Sequence, residues 1–134
     1  KPFGIMTPEQ RQILVQRESE RARHHLSQAD EMMSLGHWDI AANRQYYACY
    51  HAVQALFVSR GLSGSTHKGM ISQFSLHFVK PGIVSMEHGS FLSRMMQLRK
   101  KADYNCYYDI SEAEVRSLST SAHEFVEQIL DLVK

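Results

Sequence analysis

From Ala42 to Leu56 the apolar residues return at intervals of four, three, four and three, through Tyr46, Cys49 and Val53. That spacing keeps one face of an α-helix apolar and is the seam of a helical bundle. No stretch of four or more residues alternates with period two and carries β-branched weight, so strands are not expected. The chain is therefore expected to be all-α, an up-and-down antiparallel bundle of four long helices plus one short helix. With 134 residues, 43% of them hydrophobic, residues 1–134 suffice for one such domain and are too few for two.

The helix boundaries follow from capping chemistry. Thr7-Pro8-Glu9-Gln10 reads as a helix start, with Thr7 as N-cap, Pro8 at the first helical position and Gln10 completing a capping box. This helix is expected to run to about Leu35, with Gly36 as its stop and Ile13, Leu14, Ala22, Leu26, Ala29 and Met33 as its apolar stripe. A second helix is expected from about Trp38 or Asp39, the latter as cap, to Arg60, ended by Gly61. Thr66 to Phe78 can form the short helix, broken by Pro81-Gly82. Ser85 can cap a further helix from Met86 to about Ala102, with Phe91, Met95, Leu98 and Ala102 as its seam. Ser111 to Glu114 is a capping box that opens the last helix, which would bury Val115, Leu118, Ala122, Phe125, Ile129 and Leu132.

Several function classes fall away at this stage. The longest apolar runs, such as Ala55 to Val58, are far short of the roughly 18 residues a membrane helix needs. Lys1 to Met6 holds no apolar signal core, and Cys49 and Cys106 do not make a disulfide framework, so a cytoplasmic location is expected. The 8 histidines come without an HExxH motif or a CxxC, so no metal and no cofactor is expected. His24 and His25 point about 100° apart on a helix and cannot chelate one ion as an i, i+4 pair would. They are expected to be solvated or half-buried.

Charge is distributed unevenly. Residues 61–101 hold 6 basic groups against 1 acidic, and residues 102–134 hold 2 against 7. The acidic segment can neutralise the basic one, or the basic residues Arg94, Arg99, Lys100 and Lys101 can form a surface that meets phosphates. Arg99 follows Leu92 and Met96 at i−7 and i−3, so its stem should be partly covered while its guanidinium reaches an edge. It can also pair with Asp103 at i+4, which on an exposed helix is worth only about 0.3 to 0.5 kcal/mol. Tyr46, Tyr47 and Tyr50 crowd one helix. Tyr46 and Tyr50 are expected to pack with their hydroxyls at the rim.

The segment Asn43-Arg44-Gln45-Tyr46-Tyr47-Ala48-Cys49-Tyr50-His51-Ala52 is followed by Gly61, Thr66-His67, Phe78-Val79-Lys80 and then Arg99-Lys-Lys-Ala102-Asp103-Tyr104. In this order they resemble the HEPN family, above all its small stand-alone bacterial and archaeal members, from about Ser19 to the end of the chain. The resemblance implies a helical bundle that homodimerises and is often encoded beside a minimal nucleotidyltransferase as a toxin and antitoxin pair. Active members are metal-independent ribonucleases, in which an Arg and, after four to six residues, a His from each of two copies form one cleft. Such a His takes the proton of an RNA 2′-hydroxyl and the Arg holds the charge developing on the phosphate.

In this sequence Arg99 matches the motif Arg, but Tyr104 stands where the His would be. An ordinary phenol, with a pKa near 10, is ionised in about one molecule in a thousand at pH 7 and makes a poor base. The resemblance offers His51, on the helix face it shares with Arg44 and Tyr47, as a substitute, while a structural histidine inside the bundle is the alternative. Arg99, Tyr104 and His51 are thus the candidate catalytic residues. Arg44, Tyr47, Lys100, Lys101 and Asp103 are candidates to bind RNA or nucleotide. Tyr104, Tyr107 and Tyr108 are the residues to which a nucleotidyltransferase partner would add nucleotides. The alternative is a non-catalytic dimeric module for protein interaction or nucleotide binding.

Overall fold

Two capping boxes set the ends of the bundle in the computed structural model, which describes residues 6–62, 67–104 and 109–134. Thr7 accepts from the Gln10 amide while Gln10 accepts from the Thr7 amide, opening α1 (Pro8–Ser34). Ser111 and Glu114 do the same for α5 (Glu112–Asp131). Each box satisfies two amides that a helix start leaves without partners. Gly36 (φ 78°) and Gly61 (φ 72°) end α1 and α2 (Trp38–Ser59) in the left-handed region, where a Cβ would be strained. The cap of α2 differs from expectation. His37 occupies that position without a side-chain bond, and Asp39 lies inside the first turn, where its charge meets the helix dipole instead.

α2 is the axis of the bundle, packing on α1, α4 (Met86–Tyr104) and α5. Eleven of its residues are buried, so the expected seam is only part of what it hides. Ala41, Ala48, Ala52 and Ala55, all fully buried, let neighbouring backbones approach, and Ala22 and Ala29 do the same from α1. Tyr46, Val53, Leu56 and Phe57 fill the space between, against Leu118, Phe125 and Ile129 of α5. The α1 stripe is buried at Ala22, Leu26 and Ala29, while Ile13 is exposed.

α3 (His67–Phe74) is shorter than the sequence reading, because its last part becomes a π-helical turn, Ser75–Val79. The Lys80 amide donates to the Ser75 carbonyl at 2.9 Å. Phe74 and Phe78, four apart, lie on one side, where Phe78 stacks on Phe57 at 6.0 Å and Phe74 meets Phe125 at 5.9 Å. The expected start at Thr66 lies outside the described residues. Ser85 caps α4 as expected, through its bond from the His88 amide. The face of α4 is turned from the expected seam: Leu92, Met95 and Met96 are buried, Phe91 and Leu98 are half-buried, and Ala102 is exposed. Among the described residues there is no strand, and no helix is long and apolar enough to cross a membrane.

Candidate functional site

Of the ordered motif, Arg99 of α4 meets Tyr46 and Tyr47 of α2 on one side of the bundle. Phe78 lies in the core against Phe57, and Thr66 lies outside the described residues. Leu92 and Met96 anchor that face of α4 in the core, and one and two turns further on the same face carries Arg99. Its side chain is 24% exposed, so the stem is covered and the guanidinium reaches the surface. The guanidinium carbon lies 5.4 Å from the centroid of the Tyr46 ring and 5.8 Å from that of Tyr47, both on α2. A hydrogen bond joins Arg99 to Tyr47. Burial works against the charge. The Tyr47 bond, the two phenols and Asp103 outweigh it and leave the guanidinium pKa above its ordinary value. The Arg99–Asp103 contact itself is long, at 3.6 Å.

Tyr46 is not at the rim. It is 1% exposed, and its hydroxyl sits 3.8 Å from the Met96 sulfur. Burial pushes its phenol pKa well up, opposed by the charge of Arg99. A cavity of about 140 Å³ opens beside it, lined by Asp39, Asn43, Leu98, Arg99, Asp103 and Leu118 among others. Arg44 is half-buried next to this wall and donates to Asn43 at 2.7 Å.

On the other side of Tyr47 lies a cluster of imidazoles. His51 Nδ1 is 2.6 Å from Glu18 Oε1 of α1, and each side chain is 15% exposed. The His25 ring, also from α1, stacks on His51 at 5.2 Å with the planes 8° apart. Tyr50 meets His51 edge to face at 5.2 Å, and Tyr47 lies 6.4 Å from it. Burial, then His51 and Arg44, hold the His25 pKa below the usual imidazole value, and its Nδ1 is buried without a partner. The sequence reading left Glu18 out and treated His25 as an ordinary mid-helix residue. A signal for both was present: Glu18 and His25 are seven apart on α1, as Arg44 and His51 are on α2, so two heptad-spaced polar pairs face each other.

The remaining candidates are spread out. Lys100, Lys101 and Asp103 are exposed on the last turns of α4. Tyr104, at the helix end, is 85% exposed. Tyr107 and Tyr108 lie outside the described residues. Of the charge contacts of α5, Glu112–Arg116 and Asp131–Lys134 are local, and His123 reaches Asp30 of α1 at 2.9 Å. Arg94, Lys100 and Lys101 remain exposed to solvent. Among the described residues no group of three His, Cys, Asp or Glu side chains converges as metal ligands would.

Residues 15–133 match the model of the HEPN domain. The chain belongs to the HEPN family. As a HEPN chain it is 36% identical over 114 residues to a "UPF0332 protein" of Thermotoga maritima, covering 85% of this chain and 86% of the relative. It is 32% identical over 115 residues to "Putative toxin MJ0605" of Methanocaldococcus jannaschii, covering 86% and 85%. A further "UPF0332 protein", glr0978 of Gloeobacter violaceus, is 30% identical over 99 residues, covering 74% of this chain and 75% of that one.

Proposed function

We propose that this HEPN protein is of toxin type, acts with a minimal nucleotidyltransferase, and binds RNA or nucleotide in a basic cleft formed where two copies of the chain meet. The observation that carries this reading is the position of Arg99. Its charge is held on the Tyr46 and Tyr47 rings at a cavity mouth, partly open to solvent, with Lys100 and Lys101 exposed beside it. An arginine held there is prepaid in entropy for a phosphate, which it can meet with two parallel hydrogen bonds. A tyrosine face nearby suits an unstacked base. The toxin role is drawn from the relatives so named in Methanocaldococcus jannaschii.

Metal-independent cleavage of RNA is the reaction this arrangement serves, with Arg99 on the phosphate. Labelled single-stranded RNA incubated with the protein in EDTA tests it. Cleavage that Arg99→Ala abolishes is the expected result; RNA neither bound nor cut in an Arg99-dependent way sinks the reading. Sedimentation of the free protein tests the homodimer.

A second reading is favoured by one specific residue. Tyr104 is an exposed phenol where active members carry an imidazole, which suits a non-catalytic interaction or nucleotide-binding module. It also suits a partner's acceptor residue, with Tyr104, Tyr107 and Tyr108 receiving nucleotides that would neutralise Arg99, Lys100 and Lys101. Mass spectrometry of protein coexpressed with a nucleotidyltransferase separates these readings. Nucleotide adducts on this tyrosine segment support the partnership, and an unmodified segment with no complex on gel filtration counts against it.

A further inference from the structure

We infer that the cavity beside Arg99 takes a base of the bound RNA or nucleotide and selects guanine, with the Asp39 carboxylate accepting hydrogen bonds from the edge of that base. The inference rests on the RNA-binding reading above and deepens it by naming what the cavity holds.

The cavity has apolar walls and room for one ring system. Tyr46, Met95 and Leu118, all buried, form its floor. It opens where α2 and α4 carry the small side chains of Ala42 and Ala102. Its volume of about 140 Å³ is less than half of the roughly 300 Å³ at which pockets for whole drug-sized ligands begin, so a single base is a better match than a whole nucleotide.

The polar groups at its edge exclude other occupants. Asp39 of α2, Asp103 of α4 and Asp109, just before α5, line it together with Arg99, three carboxylates to one guanidinium among the described residues. A phosphate inside would meet that excess of negative charge, so the phosphate stays outside, on Arg99 and the exposed Lys100 and Lys101. An ammonium group inside would be set against the Arg99 charge, which the Tyr46 and Tyr47 rings hold in place. A metal ion is not suited either, because among the described residues no three such side chains converge as its ligands. What fits is a neutral planar group with apolar faces and hydrogen-bond donors on one edge, and a nucleobase is such a group.

The chemistry of a carboxylate then chooses among the bases. Ionised, it offers two acceptor oxygens side by side and no donor. Guanine alone of the four RNA bases carries two adjacent donors, N1–H and the 2-amino group, and gives both bonds at once. Adenine and cytosine set their amino donor beside a ring acceptor, and uracil sets its N–H between two carbonyls, so each turns an acceptor toward the carboxylate. Asp39 is the carboxylate for this role. It is exposed at the cavity mouth, a long helix fixes its position, and it has no partner among the described residues. Asp103 is drawn to Arg99 at 3.6 Å, and Asp109 lies outside any helix.

The test is fluorescence anisotropy of the full chain with the 5′-labelled RNAs UGU, UAU, UCU and UUU in EDTA, and with a fifth that carries inosine, which lacks the 2-amino group, at the centre. UGU should bind about tenfold or more tightly than the other three natural RNAs, with the inosine RNA between. Asp39→Asn, which replaces one acceptor by a donor, should erase the difference between UGU and UUU. Ala102→Phe, on an exposed position of α4, fills the cavity mouth away from the buried floor and should do the same. Arg99→Ala should weaken all five. A UGU preference that survives Asp39→Asn in a variant that melts like the parent overturns the inference, and if that variant melts early, a preference that survives Ala102→Phe does so. Arg99-dependent binding with no preference, or with a preference for another base, also overturns it and leaves the RNA-binding reading standing. Absence of any Arg99-dependent binding overturns both.

Discussion

The rings of His25 and His51 stack across the α1–α2 interface, 5.2 Å apart and 8° from parallel. Burial, together with the neighbouring His51 and Arg44, depresses the His25 pKa from 6.5. The sign of its effect on stability follows. The unfolded chain takes up a proton near 6.5 and the fold resists it, so this stabilisation is full above 6.5 and is lost as pH falls from there through the folded-state value. The melting temperature should therefore drop between pH 7.5 and pH 5, and His25→Gln should flatten that drop. Scanning calorimetry over this range checks it, and an equal slope in both proteins would refute the assignment.

Arg99 is held by two tyrosine rings and a long contact to Asp103. Its contribution to folding is small, since a cation over aromatic faces near the surface is worth about 0.5 to 1 kcal/mol. Arg99→Ala should lower stability by roughly that amount in urea, yet weaken RNA binding by about tenfold or more in fluorescence anisotropy. Arg99→Lys should recover little of the binding, because an ammonium cannot form the paired hydrogen bonds or lie flat on the rings.

Phe57 is fully buried on the central helix and stacks on Phe78 of the π-helical turn. Its removal leaves a cavity that the surrounding alanines cannot close. Phe57→Ala should cost about 3 to 5 kcal/mol in a urea unfolding curve with the slope unchanged.

Gly89 of α4 lies under the end of the π-helical turn. A Cβ there would stand 3.0 Å from Val79 Cγ2. Alanine gains about 1 kcal/mol of helix propensity over glycine, but overpacking costs about 1 to 3 kcal/mol. Gly89→Ala should therefore destabilise the parent by under about 2 kcal/mol, and the same change on a Val79→Ala background should stabilise. A double-mutant cycle by chemical denaturation checks the reversal of sign.

Most of the architecture was legible because it is local. The Thr7 and Ser111 boxes, the glycines at 36 and 61 and the helical spacing of α2 and α5 each act within a few residues, and the structure has them as read except at the ends of the two seams, where Ala42 and the C-cap Leu132 are only half-buried. What failed was decided between helices. The face of α4 is turned toward Leu92 and Met96 because α2 presents Tyr46 there, whose hydroxyl lies on the Met96 sulfur. The same packing takes Tyr46 inside instead of leaving it at a rim. The π-helical turn, whose Phe78 stacks on Phe57, has no signal in the local apolar pattern.

The candidate site divides in the same way. The HEPN resemblance singled out Arg44, Tyr47 and His51, and it gave Arg99, already marked by its basic neighbours, a role. It could not say that Glu18, thirty-three positions before His51, supplies its carboxylate, or that His25 stacks on it. Hydrophobic periodicity and caps are properties of a segment, and a sequence determines them directly. Which polar side chains share one half-buried pocket depends on how α1 and α2 are rotated against each other, and only close packing of the whole bundle sets that angle.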